Sequence, residues 1–368
     1  MLFNEIPGLH AIKKTLIQSV QQQHVAHAQL FLGQIGSGNL AMALAFATYL
    51  NCEDRQDTDA CGRCASCIKM RKLVHPDVHL IFPLLSAKDD LAQLTPRWRE
   101  FIEQNPYQTL NDWLLFAGAK GYQQGIIPIK EAHGIIGKLS LKAFEGPYKL
   151  LIIWQPELLN IESANALLKI LEEPPSKTIF LLVSNDANKL LTTILSRTQR
   201  VSIPAFEQQD LSNFLIQRHH LDEKRAKQIA YLAEGNLAKA LTLATGESND
   251  RHEWFANWMR QCYKPDIAEL VRLADVFDAL GKEEQKSTLD YGLAMFRDLF
   301  LYQSGVAELV RLEGTELDFV QKFSKVIKSE RVERIVDEMN TAFYHIERNA
   351  RAKIVFLDLS LTIATVMK

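Results

Sequence analysis

The stretch "AQLFLGQIGSGNLAMALAFATYL" (28–50) constrains the fold of this chain more than any other. A short apolar run meets a loop with Gly33, Gly36 and Gly38, and a segment apolar on every helical face follows. The first part reads as a buried strand and the last as a helix covered on most sides. Strand, glycine loop and helix form the opening unit of an α/β fold with a parallel sheet. Three more runs rich in Ile, Leu or Val follow, at 78–82, 148–154 and 178–184, and "TQRVSIP" (198–204) reads as a final sheet strand. Uninterrupted apolar strands of this kind are buried on both faces, as in a parallel sheet. Between the third and fourth, "SANALLKILEEPP" (163–175) has helical spacing and stops at Pro174 and Pro175, because the residue before proline disfavours the helical region.

Residues 84–125 break this rhythm and read as an insertion of several short helices with no strand signal and no assignable chemistry. After Pro204 the strand signals cease. Residues 207–246 read as three short helices, with Gly235 and Asn236 between the last two, and helical periodicity runs from about residue 250 to the end. The expected organisation is an α/β domain over 1–204, a small helical domain over 205–248 and an all-α domain over 249–368.

With 368 residues, two or three domains are expected. A formal net charge of −2 speaks against a strongly basic, free-standing nucleic-acid binder. Charges break every apolar run before it reaches the length of a membrane span, and "MLFNEIPGLH" has no basic lead of a signal peptide, so a cytoplasmic location is expected.

Four of five cysteines, Cys52, Cys61, Cys64 and Cys67, lie in a C-x8-C-x2-C-x2-C pattern. Clustered thiols without a secretory leader favour a metal site over a disulfide framework. Four thiolates close a tetrahedral zinc shell, which makes the site structural rather than catalytic. Gly62 supplies turn freedom, and Arg55, Arg63 and Lys69 are placed to offset its charge. An iron–sulfur cluster lacks its usual Cys-Pro ending here, and reduced surface thiols remain the plainer alternative. Cys262 reads as a small buried residue. His24, His27, His75 and His79 read as ordinary turn and strand residues.

The glycine loop invites a phosphate-binding reading. Gly33 and Gly38 have the spacing of the pattern, but Asn39 stands at the lysine position and Leu40 at the Ser/Thr position. Asn39 carries no charge and Leu40 cannot hold magnesium. Weak nucleotide binding through the loop amides alone stays open.

"HAQLFLGQIGSGN" (27–39), the cysteine module, "NALLKILEEPP" (165–175) and "SRTQR" (196–200), in that order, resemble the clamp-loader branch of the AAA+ ATPases. The resemblance is dense over residues 5–204 and rests on architecture over the C-terminal helices. It implies a RecA-like P-loop domain with a parallel sheet, a three-helix lid and an all-α collar that assembles subunits. It implies a subunit of the DNA polymerase III clamp loader, with motor (gamma/tau-type) and delta subunits as partners. The sliding clamp and primer–template DNA are reached through the complex.

In this branch, active members end an apolar strand in Asp-Glu. Here "KLLIIWQPE" (149–157) puts Trp154 and Gln155 at those positions, with Glu157 expected to point elsewhere. The lid's sensor arginine is replaced by Ala238, with Lys239 one residue off. Ser184 and Asn185 end a strand at the family's sensor region and read as turn residues. The resemblance therefore implies a chain that does not hydrolyse ATP by itself. In "SRTQR", Arg197 is the expected arginine finger for a neighbouring subunit's ATP site, with Arg200 second and a plain surface arginine at a helix C-terminus as the bland reading. An ATP-binding motor subunit and a zinc-dependent nucleic-acid binding module are the alternatives. The residues at 39, 40, 154 and 155 oppose the first, and the charge balance opposes the second.

Overall fold

The computed structural model describes residues 1–119, 125–128, 130, 134, 137, 139, 142–244, 248–306, 310, 312 and 314–367. Residues 120–124 of the expected insertion and 245–247 of the expected lid lie outside the described residues.

Five strands, β1 (Ala28–Gly33), β2 (Val78–Ile81), β3 (Lys149–Trp154), β4 (Thr178–Ser184) and β5 (Gln199–Ile203), form one sheet in the order β2-β3-β4-β1-β5. Every pairing is parallel, with Leu30 opposite Leu182 and Arg200, and Leu151 opposite His79 and Phe180. The fold is thus the α/β class expected from the sequence. The three interior strands are buried at every residue, whereas the edge strands β2 and β5 keep exposed or half-exposed positions. That is why β1, β3 and β4 lack polar alternation. The insertion of helices and loops between neighbouring parallel strands follows from geometry, since a parallel pair cannot be joined by a tight hairpin.

α1 (His10–Gln21) precedes β1, and α2 (Asn39–Asn51), buried at every residue, leaves the glycine loop. Next come α3 (Ala65–Arg71), α4 (Leu91–Gln104) and α5 (Leu110–Ala117). Asp90 caps α4 by accepting the Ala92 amide, and Thr109 with Asp112 forms a capping box on α5. Leu84 and Ile126 bridge antiparallel across the base of this segment. It is not a surface appendage. Trp98 stacks on Phe82 at 4.7 Å, meets Trp113 edge-on at 5.2 Å, and reaches the β3 residue Trp154 at 4.7 Å. α6 (Ile161–Glu172) is capped by Asn160, which accepts the Ser163 amide.

The chain divides into two compact units, Met1–His220 with Ala233–Leu241, and Leu221–Leu232 with Thr242–Lys368. Of the helices that follow β5, α7 (Gln208–His219) falls in the first unit, α8 (Glu223–Ala233) almost wholly in the second, and α9 (Leu237–Ala244) begins in the first. The second unit is otherwise built of helices from Ser248 to Met367. Its centre holds Phe356 stacked on Phe277 at 4.5 Å and tilted against Trp258 at 4.6 Å, with the Trp258 indole donating to Ser360 Oγ at 2.9 Å. Among the described residues no helix is long and apolar enough to cross a membrane.

Candidate functional site

The glycine loop turns at Gly36, whose φ of 75° favours glycine. A Cβ there would lie 1.8 Å from Asn236 Oδ1, so the loop and the segment 233–241 approach without room for a side chain. Leu237 donates its amide to Gly36 O at 2.9 Å, and Asn236 Oδ1 caps α9 by accepting the Lys239 amide at 2.9 Å. A Cβ on Gly38 would lie 3.0 Å from the Phe206 ring and 3.3 Å from Leu9 Cδ1. Apolar side chains therefore cover the loop where it enters α2.

Asn39 occupies the lysine position and is 6% exposed. Its amide nitrogen donates to Ser184 O at 3.1 Å and to Asn185 Oδ1 at 2.9 Å, while its Oδ1 accepts the Leu40 amide at 2.8 Å. That last amide is one of the unpaired donors at a helix start that a bound phosphate would otherwise engage. Ser184 and Asn185 thus do more than end a strand, because they receive the Asn39 side chain.

At the end of β3, Trp154 and Gln155 are both buried. Trp154 faces the aromatic cluster described above, so the end of β3 is an apolar anchor. Glu157 departs from expectation. Gln155 adopts φ 57°, a short 3-10 turn follows over Pro156–Leu158, and the chain folds back so that Glu157 Oε1 accepts the Asn185 amide at 3.3 Å. Burial holds the Glu157 carboxyl above its ordinary value. The carboxylate therefore joins the Asn39–Asn185 network instead of pointing away.

Cys52, Cys61, Cys64 and Cys67 come together, with all four Sγ atoms within 4.8 Å of one another. A tetrahedral ion at about 2.3 Å from each sulfur needs sulfurs about 3.8 Å apart, and Cys61 and Cys67 stand at 4.0 Å. The amides of Cys61, Cys64 and Cys67 donate to the sulfurs of Cys52, Cys61 and Cys64 at 3.3, 3.3 and 3.4 Å. Such N–H···S bonds stabilise thiolate. Gly62 makes the knuckle possible with φ 70°. Desolvation pushes the Cys61 thiol up, but the Arg63 and Cys64 amides and the Cys52 and Cys64 thiols outweigh it and bring it to about 7. Burial pushes the Cys52 and Cys67 thiols up. Four thiols drawn together compete for protons, and a bound cation displaces those protons. The donor set fits a soft, tetrahedral metal with no open position.

The basic residues expected to offset this charge have other partners. Arg55 donates to Tyr49 O and Leu50 O at the end of α2, Arg63 pairs with Asp54 at 3.1 Å, and Lys69 pairs with Glu145 at 2.5 Å. His75 is buried, and its Nδ1 accepts the Asp77 amide at 3.2 Å.

Arg197 follows the single helical turn Thr192–Leu195 and precedes β5. Its Nε donates to Glu172 Oε1 at 2.8 Å, and its Nη2 donates to the same oxygen. Its Nη1 donates to Thr193 O at 2.9 Å and Ser196 Oγ at 3.2 Å. The side chain is one-third exposed. Arg200 is exposed on β5. The pairing of Glu172 with Arg197 is new and has no signal in local spacing.

The family described as "DNA polymerase III, delta subunit" matches residues 8–207. The DNA polymerase III subunit tau of Bacillus subtilis is 25% identical over 96% of this chain and 60% of its own length. The subunit delta' of the same organism is 26% identical over 80% of this chain and 78% of its own length. The chain thus spans less than two-thirds of that tau subunit. Among solved structures, a DNA polymerase III gamma subunit-related protein from Thermotoga maritima covers 97% of this chain and 99% of its own, at 15% identity and a TM-score of 0.41.

Proposed function

Because the chain belongs to the DNA polymerase III, delta subunit family, we propose that it is a delta prime subunit of the clamp-loader AAA+ class that does not hydrolyse ATP and lends Arg197 to a neighbouring motor subunit. The observation that carries this reading is Asn39. Both ends of its amide are committed to the protein, to Ser184 O and Asn185 Oδ1 on one side and the Leu40 amide on the other. A motor lysine instead reaches the β and γ phosphates, and a hydroxyl beside it holds magnesium. Here the amide meant for phosphate already has an acceptor. Trp154 and Gln155 supply neither a metal ligand nor a carboxylate to activate water.

The match to a tau subunit favours a motor reading. The same four positions, 39, 40, 154 and 155, weigh against it. The proposed partners are motor (gamma/tau-type) and delta subunits, with the sliding clamp and primer–template DNA engaged through the complex. The proposed plan is a RecA-like domain over 1–204, a lid over 205–248 and a collar over 249–368. Cys52, Cys61, Cys64 and Cys67 are proposed to hold structural zinc. The ion would tie the start of α3 to the end of α2, through Cys64 and Cys67 on one side and Cys52 on the other.

An arginine supplied in trans neutralises charge on the transferring phosphoryl group and is worth about 10³–10⁵ in rate at one site. Two measurements test the reading together. The isolated chain is expected to show no micromolar binding of Mg-ATP by calorimetry and no turnover. In the complex reconstituted with its motor and delta subunits, Arg197→Ala is expected to spare assembly and lower clamp-stimulated ATPase about tenfold or more. Micromolar Mg-ATP binding with turnover by the isolated chain, or an unchanged ATPase in the Arg197→Ala complex, overturns it.

A further inference from the structure

The guanidinium of Arg197 is folded back on its own subunit. Two of its nitrogens converge on one oxygen of Glu172, and the third donates to Thr193 O and Ser196 Oγ. Each nitrogen thus has an acceptor within this chain. Glu172 sits in the last turn of α6, while Arg197 lies beyond β4, so the pair joins two separate elements. Both side chains are partly exposed, at 33% and 49%. An exposed pair of this kind is weak and reversible.

We infer that Glu172 is a latch that parks Arg197 on its own subunit and competes with a neighbour's phosphoryl group for the guanidinium. This rests on the reading of Arg197 as a finger acting in trans. Carboxylate and phosphate are alternative ligands for the same planar donor fork. To reach a neighbour's nucleotide, Arg197 must release Glu172 Oε1. The fraction of chains with the arginine released sets the apparent strength of the finger. Glu172 is therefore a positioning residue that lowers ATPase until assembly offers a better anion. Because the pair is exposed, salt weakens the latch.

The test uses the whole complex, reconstituted with wild-type chain, Glu172→Gln, Arg197→Ala and the double variant. Glutamine keeps the length of the side chain and removes its charge, and gel filtration confirms that each variant enters the complex. Glu172→Gln is expected to raise basal ATPase, without clamp or DNA, by about two- to fivefold, the range an exposed pair allows. The ratio of Glu172→Gln to wild-type rate should fall toward one as salt is raised. The double variant should match Arg197→Ala alone, which a merely structural Glu172 would not produce. A fall in rate for Glu172→Gln shows that the carboxylate orients the finger productively and overturns the latch. An unchanged rate, with Arg197→Ala still defective, also overturns the latch and leaves the finger standing. An unaffected Arg197→Ala removes the finger itself, and the latch with it.

Discussion

Asn39 shows how one substitution redirects a loop. A lysine there would carry a charge that needs phosphate or carboxylate, whereas the shorter amide is satisfied by groups already at the end of β4. Restoring a lysine and a serine at positions 39 and 40 leaves Asn236 against Gly36, Phe206 over Gly38, and Trp154 and Gln155 in place. The double variant N39K/L40S is therefore expected to gain no Mg-ATP turnover. It should lose about 3–5 kcal/mol of stability, because the buried Leu40 side chain is truncated and buried partners are left unpaired. Urea unfolding and a phosphate-release assay check both halves. That positions 39 and 40 carry neither a lysine nor a hydroxyl is plain in the sequence, because the pattern's spacing fixes which positions to inspect. The network around Asn39 is not. It depends on Asn185, just past β4, and on Glu157, which a left-handed residue at Gln155 that no spacing rule marks turns toward the Asn185 amide.

At the scale of elements, the strands were readable to within a residue or so, since interior parallel strands carry unbroken apolar runs. The segment from 84 to 125 was not, because its meaning lies in contacts between distant residues. Trp98 on α4 and Trp113 on α5 complete one cluster with Phe82 and with Trp154 on β3. Trp98 is 2% exposed, so Trp98→Ala should cost about 3–5 kcal/mol in urea unfolding. A second joint ties the approaches to β2 and β3. Asp77, one residue before β2, accepts the amides of Phe144, Glu145 and Gly146 at 2.5, 2.8 and 2.7 Å. Desolvation raises its carboxyl pKa, but these three amides outweigh burial and hold it below the ordinary value of 3.8. A depressed folded value means the stabilisation is complete above about pH 4 and is lost as pH falls through the folded value. Asp77→Asn is expected to cost about 1–3 kcal/mol at pH 7. The gap to wild type should narrow in unfolding curves recorded at pH 3.

For the molecule as a whole, the four-thiol knuckle is the part whose chemistry the sequence announced most openly, because ligand spacing is a local property. Its surroundings are long-range. Asp59, inside the knuckle's loop, accepts the amides of Phe3 and Asn4 at 3.0 and 2.9 Å, so the start of the chain is pinned to the module. Purified protein is expected to carry about one zinc by elemental analysis, the count a single four-thiolate site holds. Chelation or Cys64→Ser should release it and make residues 52–67 and the N-terminal segment sensitive to protease together. Acidification should release the metal as protons reclaim the sulfurs. Full metal retention by Cys64→Ser would exclude the four-ligand site.

The contact of Asn236 with Gly36 carries a further consequence. A nucleotide that bridged this loop to the segment after Glu234 would come and go with its supply. Asn236 belongs to the same chain, and the Leu237 amide that accompanies it is bonded to the Gly36 carbonyl. Its effective concentration at the loop is set by covalent connection, which dilution does not change. The posture of that loop and segment is therefore independent of the concentration of any bridging ligand.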